Sequence, residues 1–420
     1  MTMPVRELPV AQNWDCSGCG ACCRVYRVPV TADERKRIEA QGWEADPDLK
    51  GTPYFVADKG GVWLNHRPDG ACVFLGPDNL CRIHARFGSA GKPLACRVYP
   101  FLLVPAGDHW RVGLRFACPM AAEDRGRPLA AHLPEVREYA AALEADSPGV
   151  AGAPPVPLEP GRSVPWADLI RMASAVSGLL ADPGRPLERR WRAVLKLAEL
   201  GQGLRFDGGK KAVTGNRLTE LIRTLGRAAA EETPDAADVP PPGWAGRMVF
   251  RQLLAVYARR DHGAEKGTAQ RTALGRVRAA VRFARGKGRI PKVISLIPDG
   301  ARFEDAEQPA GGLSRPAEAL LTRYYRQKVE SLQFCGPPNF GVPFWEGLVS
   351  LAVTFPAVLW LARVLAAGGT ERDAAVTRAV RVVDDNFGFN KLLGLGRQKF
   401  ALRLLAGRGE AARLVAWYGR

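Results

Sequence analysis

The stretch CSGCGACC, residues 16–23, puts four cysteines into eight positions. Cys16, Cys19 and Cys22 follow a C-x-x-C-x-x-C spacing. Each short gap lets a tight turn aim successive thiolates at one centre, and Gly18 and Gly20 permit the unusual backbone angles such a turn uses. Crowded thiolates of this kind hold zinc in tetrahedral sites or an iron–sulfur cluster. The same run opens the bacterial ferredoxin pattern, whose last cysteine is followed by proline. Here the Cys-Pro pair is Cys118-Pro119, far along the chain. A 4Fe–4S cluster is the favoured occupant, and zinc is the other. Cys23 adjoins Cys22, and adjacent side chains usually diverge. Cys23 therefore serves a second metal, a second iron of a cluster, or core packing.

The remaining thiols extend the set. Cys72 and Cys81 frame CVFLGPDNLC, where a Gly-Pro-Asp-Asn turn folds the segment back on itself. Cys96 sits in CRVYPF, and Cys118 completes a group of eight in the first 118 residues. Eight thiols suit two four-thiolate zinc sites, or one cluster with another site. Cys335 stands alone in FCGPPNFG and reads as a buried apolar residue. His66, His84 and His109 fall in the same region as the thiols. His84, three residues after Cys81, is the best placed of them to join as a ligand.

Other chemistries find less support. A thiol oxidoreductase needs an exposed C-x-x-C of low pKa, and the thiols beyond one redox pair argue against it. No H-E-x-x-H, G-x-S-x-G or Walker pattern occurs. The nearest approach to a dinucleotide-type glycine turn is GLGRQKF, starting at Gly394. It lies among helical patterns and reads as a loop between helices. No catalytic residue or general base can be named.

The segments CSGCGACCRV and GACVFLGPDNLCRIHARFGSAGKPLACRVYPF resemble the YkgJ-like cysteine-cluster family of zinc- or iron-chelating proteins. The family pattern is C-x-x-C-G-x-C-C, a C-x-F-L segment, a C-x-I segment and a C-R-x-[FY]-P element. Here these are Cys16, Cys19, Gly20, Cys22 and Cys23; Cys72, Phe74 and Leu75; Cys81 and Ile83; Cys96, Arg97, Tyr99 and Pro100. The likeness covers roughly residues 14–101. The family's arginine-proline ahead of the last cysteine is Lys92-Pro93 in this chain, which leaves the cysteines in register. The resemblance implies a metal centre on these cysteines. The family includes flagellin lysine-N-methylase, so the resemblance also implies S-adenosylmethionine as a cofactor, a protein substrate and methyl transfer to lysine.

These thiols need elements to position them. TADERKRIEAQG reads as a short polar helix, with Thr31 and Glu34 at capping-box spacing. FLLVPAGDHWRVGLRF, residues 101–116, reads as a β-hairpin around a Pro-Ala-Gly-Asp turn. A hairpin brings its ends together, which predicts that Cys96 and Cys118 are neighbours. Residues 146–165 contain six prolines and read as a linker or extended wrap. Beyond it, apolar residues recur at three- and four-residue intervals, as in WADLIRMASAVSGLLAD and PLERRWRAVLKLAELG. The predicted fold is α+β. A small cysteine-rich metal-binding domain with a β-hairpin (residues 1–130) is followed by a Pro/Gly-rich linker (131–165) and a mostly α-helical domain (166–420).

The formal charge is +17, of which residues 1–130 carry only +3. Residues 271–292 hold eight basic residues and no acidic one. Arginines spread over solvated helix faces account for this simply; nucleic acid phosphates or an acidic protein surface are the alternatives. The apolar stretch 347–362 is 16 residues long, interrupted by Pro356 and closed by Arg363. A span needs about 20 residues, so a buried core helix is expected and no transmembrane span. The N-terminal residues lack a secretory apolar run, which points to a cytoplasmic protein with reduced thiols. Two readings stand. One is an iron–sulfur protein, extended by the resemblance to a lysine methylase. The other is a non-catalytic, zinc-stabilised interaction module whose basic helical domain binds an acidic protein or nucleic acid. Oligomeric state is not legible.

Overall fold

A computed structural model describes residues 2–58, 60–147, 149–202, 214–269 and 271–420. A cysteine-bearing N-terminal part built from short strands and short helices is followed by a mostly helical part, the α+β arrangement expected.

The N-terminal part relies on caps and turns. The Thr31 hydroxyl accepts from the Glu34 amide at 3.3 Å, and the Thr31 amide donates to the Glu34 carboxylate at 2.9 Å. This is the capping box expected from T-x-x-E. The other oxygen of Glu34 accepts from the Leu94 amide at 2.6 Å. Leu94 begins the helix Leu94–Val98, which carries Cys96. One carboxylate thus ends two helices and fixes the second against the first.

The expected hairpin forms from Phe101–Pro105 and Trp110–Leu114, with Phe101 opposite Leu114 and Pro105 opposite Trp110. The Ala106 amide donates to the His109 carbonyl at 2.9 Å. Gly107 takes a φ of 78° in that turn, with the Trp166 ring where a Cβ would lie. Val5–Arg6 pairs in parallel with the second strand. That middle strand is buried along its whole length.

Burial on both faces follows from what covers the hairpin. Val136, Tyr139 and Ala140 pack over it from the helix Leu133–Asp146. The opposite side meets the helical part. There the Leu114 amide donates to Gln327 Oε1 at 2.8 Å, and buried Arg111 pairs with Glu330 at 2.9 Å. Val104, Ala106 and Phe116 belong to the core of the helical part itself.

The stretch 131–165 is therefore not a uniform linker. Its first half is that 14-residue helix, whose apolar residues Val136, Tyr139, Ala140 and Leu143 recur at helical intervals. Its second half wraps over the helical part and buries Val156, Leu158 and Val164. The Phe344 amide, at the start of a long helix, donates to the Pro157 carbonyl at 2.9 Å. Extended backbone next to prolines leaves carbonyls free to cap a helix, so the wrap is bonded in place.

That long helix, Phe344–Ala367, is the centre of the helical part, and 20 of its 24 residues are buried. It is the one helix among the described residues long and apolar enough to cross a membrane, and 94% of its most apolar window is enclosed by protein. It is the core helix expected, but it runs straight through Pro356. An interior proline costs about 3 kcal/mol, whereas each large apolar side chain buried returns about 1.5–3 kcal/mol. Val349, Leu351, Phe355, Val358 and Trp360 outweigh the one lost hydrogen bond.

Candidate metal centre

The loop ahead of the first two cavity thiols uses both of its glycines as expected. Gly18 and Gly20 have φ of 68° and 66°. A side chain at Gly18 would also strike Leu80. The loop lies over the turn that follows Leu75, where the Gly76 amide donates to the Leu80 carbonyl at 2.8 Å. The helix Ala21–Val25 then presents Cys22 and Cys23. The Cys72 amide donates to the Cys23 carbonyl at 2.7 Å, tying the second cysteine segment to the first. Leu75 bridges to Cys81, so the turn folds back as the Gly-Pro-Asp-Asn sequence implied.

The outcome is one cavity of about 210 Å³ lined by Cys22, Cys23, Cys72, Cys81 and Cys96, with Lys92 at its wall. Cys22 Sγ and Cys23 Sγ are 4.0 Å apart. Adjacent side chains were expected to diverge; on this short helix both enter the same cavity. A tetrahedral site with metal–sulfur bonds of about 2.3 Å has sulfur–sulfur edges of about 3.8 Å, so this pair is at ligand spacing.

Electrostatics in the cavity disfavour bare thiolates. Burial pushes the Cys72 thiol up to about 12, and nearby Cys81 and Cys22 add to the rise. Cys96 is raised by burial and by Cys72, Cys81 and Cys22. Cys22 is raised by its contact with Cys23 and then by burial. The Lys92 ammonium acts the other way on Cys22 and Cys96. Lysine thus keeps a positive charge at the cavity where the family pattern has arginine. Five soft donors around one space fit zinc or iron, whose charge deprotonates coordinating thiols.

The other three thiols of the sequence-predicted set are elsewhere. Cys16 and Cys19 are exposed. Cys118 is buried at the start of the helix Pro119–Ala122. Burial raises its pKa, while the Trp14 indole and the Ala121 and Met120 amides favour its thiolate; Cys19 is the cysteine that acts on it. The hairpin closes, yet it does not put Cys96 and Cys118 into one cavity. Past its ends one chain turns into Leu94–Val98 and the other into Pro119–Ala122. Tyr99 lies between the groups: it lines the thiol cavity, and Cys118 contributes to the rise in its pKa that burial dominates.

None of the histidines lines the cavity. His84 is exposed on the helix Arg82–Phe87. His66 bridges to Cys72 through its backbone, and burial lowers its pKa. His109 pairs with Asp108 at 2.7 Å at the hairpin turn. Cys335 is fully buried, as expected. Gly394 and Leu395 precede the helix Gly396–Gly407, so only the first two residues of GLGRQKF lie in a turn and the rest begin that helix, where a loop was expected.

Tyr99, Tyr26 and charged groups of the helical part border the centre. The Tyr26 and Tyr99 hydroxyls are 3.5 Å apart at the cavity wall. The Arg115 guanidinium lies 4.7 Å from the Tyr26 ring centroid and 3.6 Å from that of Phe389, and it pairs with Asp385 at 2.6 Å. Asp384, fully buried, contacts Lys328 Nζ and accepts from the Ala117 amide at 2.9 Å. The segment DDNFGFN, residues 384–390, closes the helix Arg372–Asn386, and its acidic and aromatic groups reach back to the thiol-bearing part. The Tyr of the C-R-x-[FY]-P element was the one signal for this wall.

Residues 15–119 match the family model CxxCxxCC, whose description is "Putative zinc- or iron-chelating domain". No curated protein and no solved structure matches the chain. The matched span contains all eight clustered cysteines and excludes Cys335. This supports a cysteine-cluster domain of the zinc- or iron-chelating type on the N-terminal part of the chain.

Proposed function

We propose that the chain is an iron–sulfur protein whose 4Fe–4S cluster is held in the thiol cavity by ligands drawn from Cys22, Cys23, Cys72, Cys81 and Cys96. The observation that carries this is the spread of the donors. Five thiols face one cavity, one more than the four a tetrahedral ion takes. A cluster takes each thiolate on a different iron and so suits donors spaced around a volume. Such a group supplies one-electron chemistry or an open iron. The protein's own part is to hold the thiolates, keep Lys92 at the wall and shield the centre with Tyr26 and Tyr99.

The motif likeness to flagellin lysine-N-methylase extends the reading to S-adenosylmethionine-dependent methylation of protein lysines in the cytoplasm. Among the described residues no strand-glycine-helix turn offers a separate nucleotide site, so the cofactor would bind beside the thiol cavity. Zinc is the second reading, favoured by the 4.0 Å spacing of Cys22 and Cys23. It would make the domain a structural support for the basic helical part, whose partner would be an acidic protein or nucleic acid.

Metal and acid-labile sulfide, measured on protein purified without oxygen, separate the two. Iron with near-stoichiometric sulfide and broad visible absorption supports the cluster, and S-adenosylmethionine binding is then measured by calorimetry. Zinc without sulfide supports the structural reading. Neither metal, with the thiols intact, overturns both.

A further inference from the structure

A second cavity, also of about 210 Å³, adjoins the thiol cavity and shares Cys22, Tyr26 and Tyr99 with it. Its opposite wall comes from the helical part and carries Arg260, Arg378, Arg381 and Glu265. The charges there do not balance. Arg260 contacts Asp385 and lies 3.5 Å from Glu265, while Asp385 is shared with Arg115. Those two carboxylates face two guanidiniums. Arg378 and Arg381 are additional. They lie three residues apart on the helix Arg372–Asn386. Arg381 Nε donates to the Ala117 carbonyl at 3.3 Å, and neither arginine has a carboxylate within ion-pair distance among the described residues.

Excess guanidinium charge at a concave, partly apolar wall attracts anions. Arginine's planar fork matches the geometry of carboxylate and phosphate oxygens. The cavity has a volume of about 210 Å³, well above the roughly 10–15 Å³ that a single water needs. That suits a small oxyanion or the anionic end of a small molecule, and it is too small for a folded chain or a nucleic acid strand. The cavity also lies behind Tyr26 and Tyr99, whose rings are 5.0 Å apart and separate it from most of the thiols, while Cys22 faces both spaces.

We propose that this second cavity binds the carboxylate or phosphate group of a small-molecule ligand through Arg378 and Arg381, beside Cys22 of the metal centre. The anion site stands on its own geometry; only the ligand's approach to a metal rests on the function proposed above. Both arginines were hidden in the sequence, because two arginines at i and i+3 on an amphipathic helix look like a solvated face.

The test titrates the full-length, metal-loaded protein calorimetrically at low ionic strength, with inorganic phosphate in one arm and malonate in the other. Saturable binding of at least one probe is expected. Arg378→Gln and Arg381→Gln should each weaken it about tenfold, the size of one lost charge-assisted contact. Arg223→Gln, on an exposed face of another helix, should leave it unchanged. Preference for phosphate assigns the ligand to phosphate esters, and preference for malonate to carboxylic acids. No saturable binding of either probe, or equal binding in all three variants, overturns the proposal. Metal content and the visible spectrum are recorded alongside. Anion binding by protein that purifies anaerobically with neither iron nor zinc sinks the metal-centre reading and leaves the anion site standing. A full complement of metal without anion binding does the reverse. Arg378 is exposed, so its variant tests the site without a threat to folding.

Discussion

The thiol-bearing part and the helical part are held by different means. Around the thiols the elements are short: helices of five and six residues, turns and two left-handed glycines. The apolar cluster beneath them is small, centred on Trp43, Phe74 and Ile83, and three cavity cysteines, Cys23, Cys81 and Cys96, pack at its edge. The helical part is built on a 24-residue helix sealed by its neighbours. The first resembles small domains that need a staple to offset chain entropy, while the second buries enough apolar surface to stand alone. A metal should therefore be structural for one part and irrelevant to the other, whatever further chemistry it does.

Removing the metal is the strongest way to break that comparison. Anaerobic chelation, followed by hydrogen exchange, should cost residues 21–25, 72–83 and 94–98 orders of magnitude in protection. Residues 344–367 should keep theirs, because metal binding to thiolates is folding free energy only where the thiolates are. Equal loss in both parts would show that they fold as one unit through the shared hairpin. No loss in either would show that caps and turns suffice.

The next largest effect lies where the parts meet. Lys328 and Asp384 are both buried, and Asp384 also accepts from the Ala117 amide, next to Cys118. Burial lowers the Lys328 pKa, and Asp384 opposes that. Lys328→Met leaves a carboxylate buried without its cation, a change of about 3–5 kcal/mol. The double variant Lys328→Met with Asp384→Leu should recover part of this and stop short by about 1–3 kcal/mol, because the Ala117 amide is left without its acceptor. Denaturant unfolding of the three proteins measures it. A Lys328→Met loss below about 1 kcal/mol, on the scale of an exposed pair, would mean that water reaches the pair and that the junction is looser than its burial indicates.

What could be read from the sequence follows the range of the forces involved. The Thr31–Glu34 box, the hairpin over 101–116 and the turn after Leu75 are set by residues within about a dozen positions of each other, and each was legible. The central helix was legible from its composition, although its passage through Pro356 depends on neighbours that sequence does not show. The helix Leu133–Asp146 was missed because the prolines from 148 onward drew the boundary too early; Val136, Tyr139 and Leu143 were the signal against it. For the site, the segregation of eight thiols was plain. Their division into five and three was not, because Cys118 is placed by packing against Trp14 and Cys96 by a helix whose Leu94 amide donates to Glu34, sixty positions before Leu94. Arg378, Arg381, Asp384 and Asp385 come from the far end of the chain, and sequence distance hides their approach to the thiols.

The division of the thiols supplies the smallest expected effect and the finest test. Cys19 is exposed and outside the cavity, whereas Cys96 lines it. Cys19→Ser should change stability by no more than about 0.5 kcal/mol, as surface substitutions usually do, and should leave metal per chain unchanged. Cys96→Ser, the matched comparison, should lose most of the metal, because serine is a poor ligand for the ions that thiolates hold. Metal analysis and visible absorption of the two proteins, prepared side by side, decide it. Were Cys19→Ser to lose as much metal as Cys96→Ser, the C-x-x-C-x-x-C run would act as one ligand set. The loop over Gly18 and Gly20 would then have to close onto the centre as metal binds. The left-handed glycines make that movement feasible, since they resist other backbone shapes less than any residue with a side chain would.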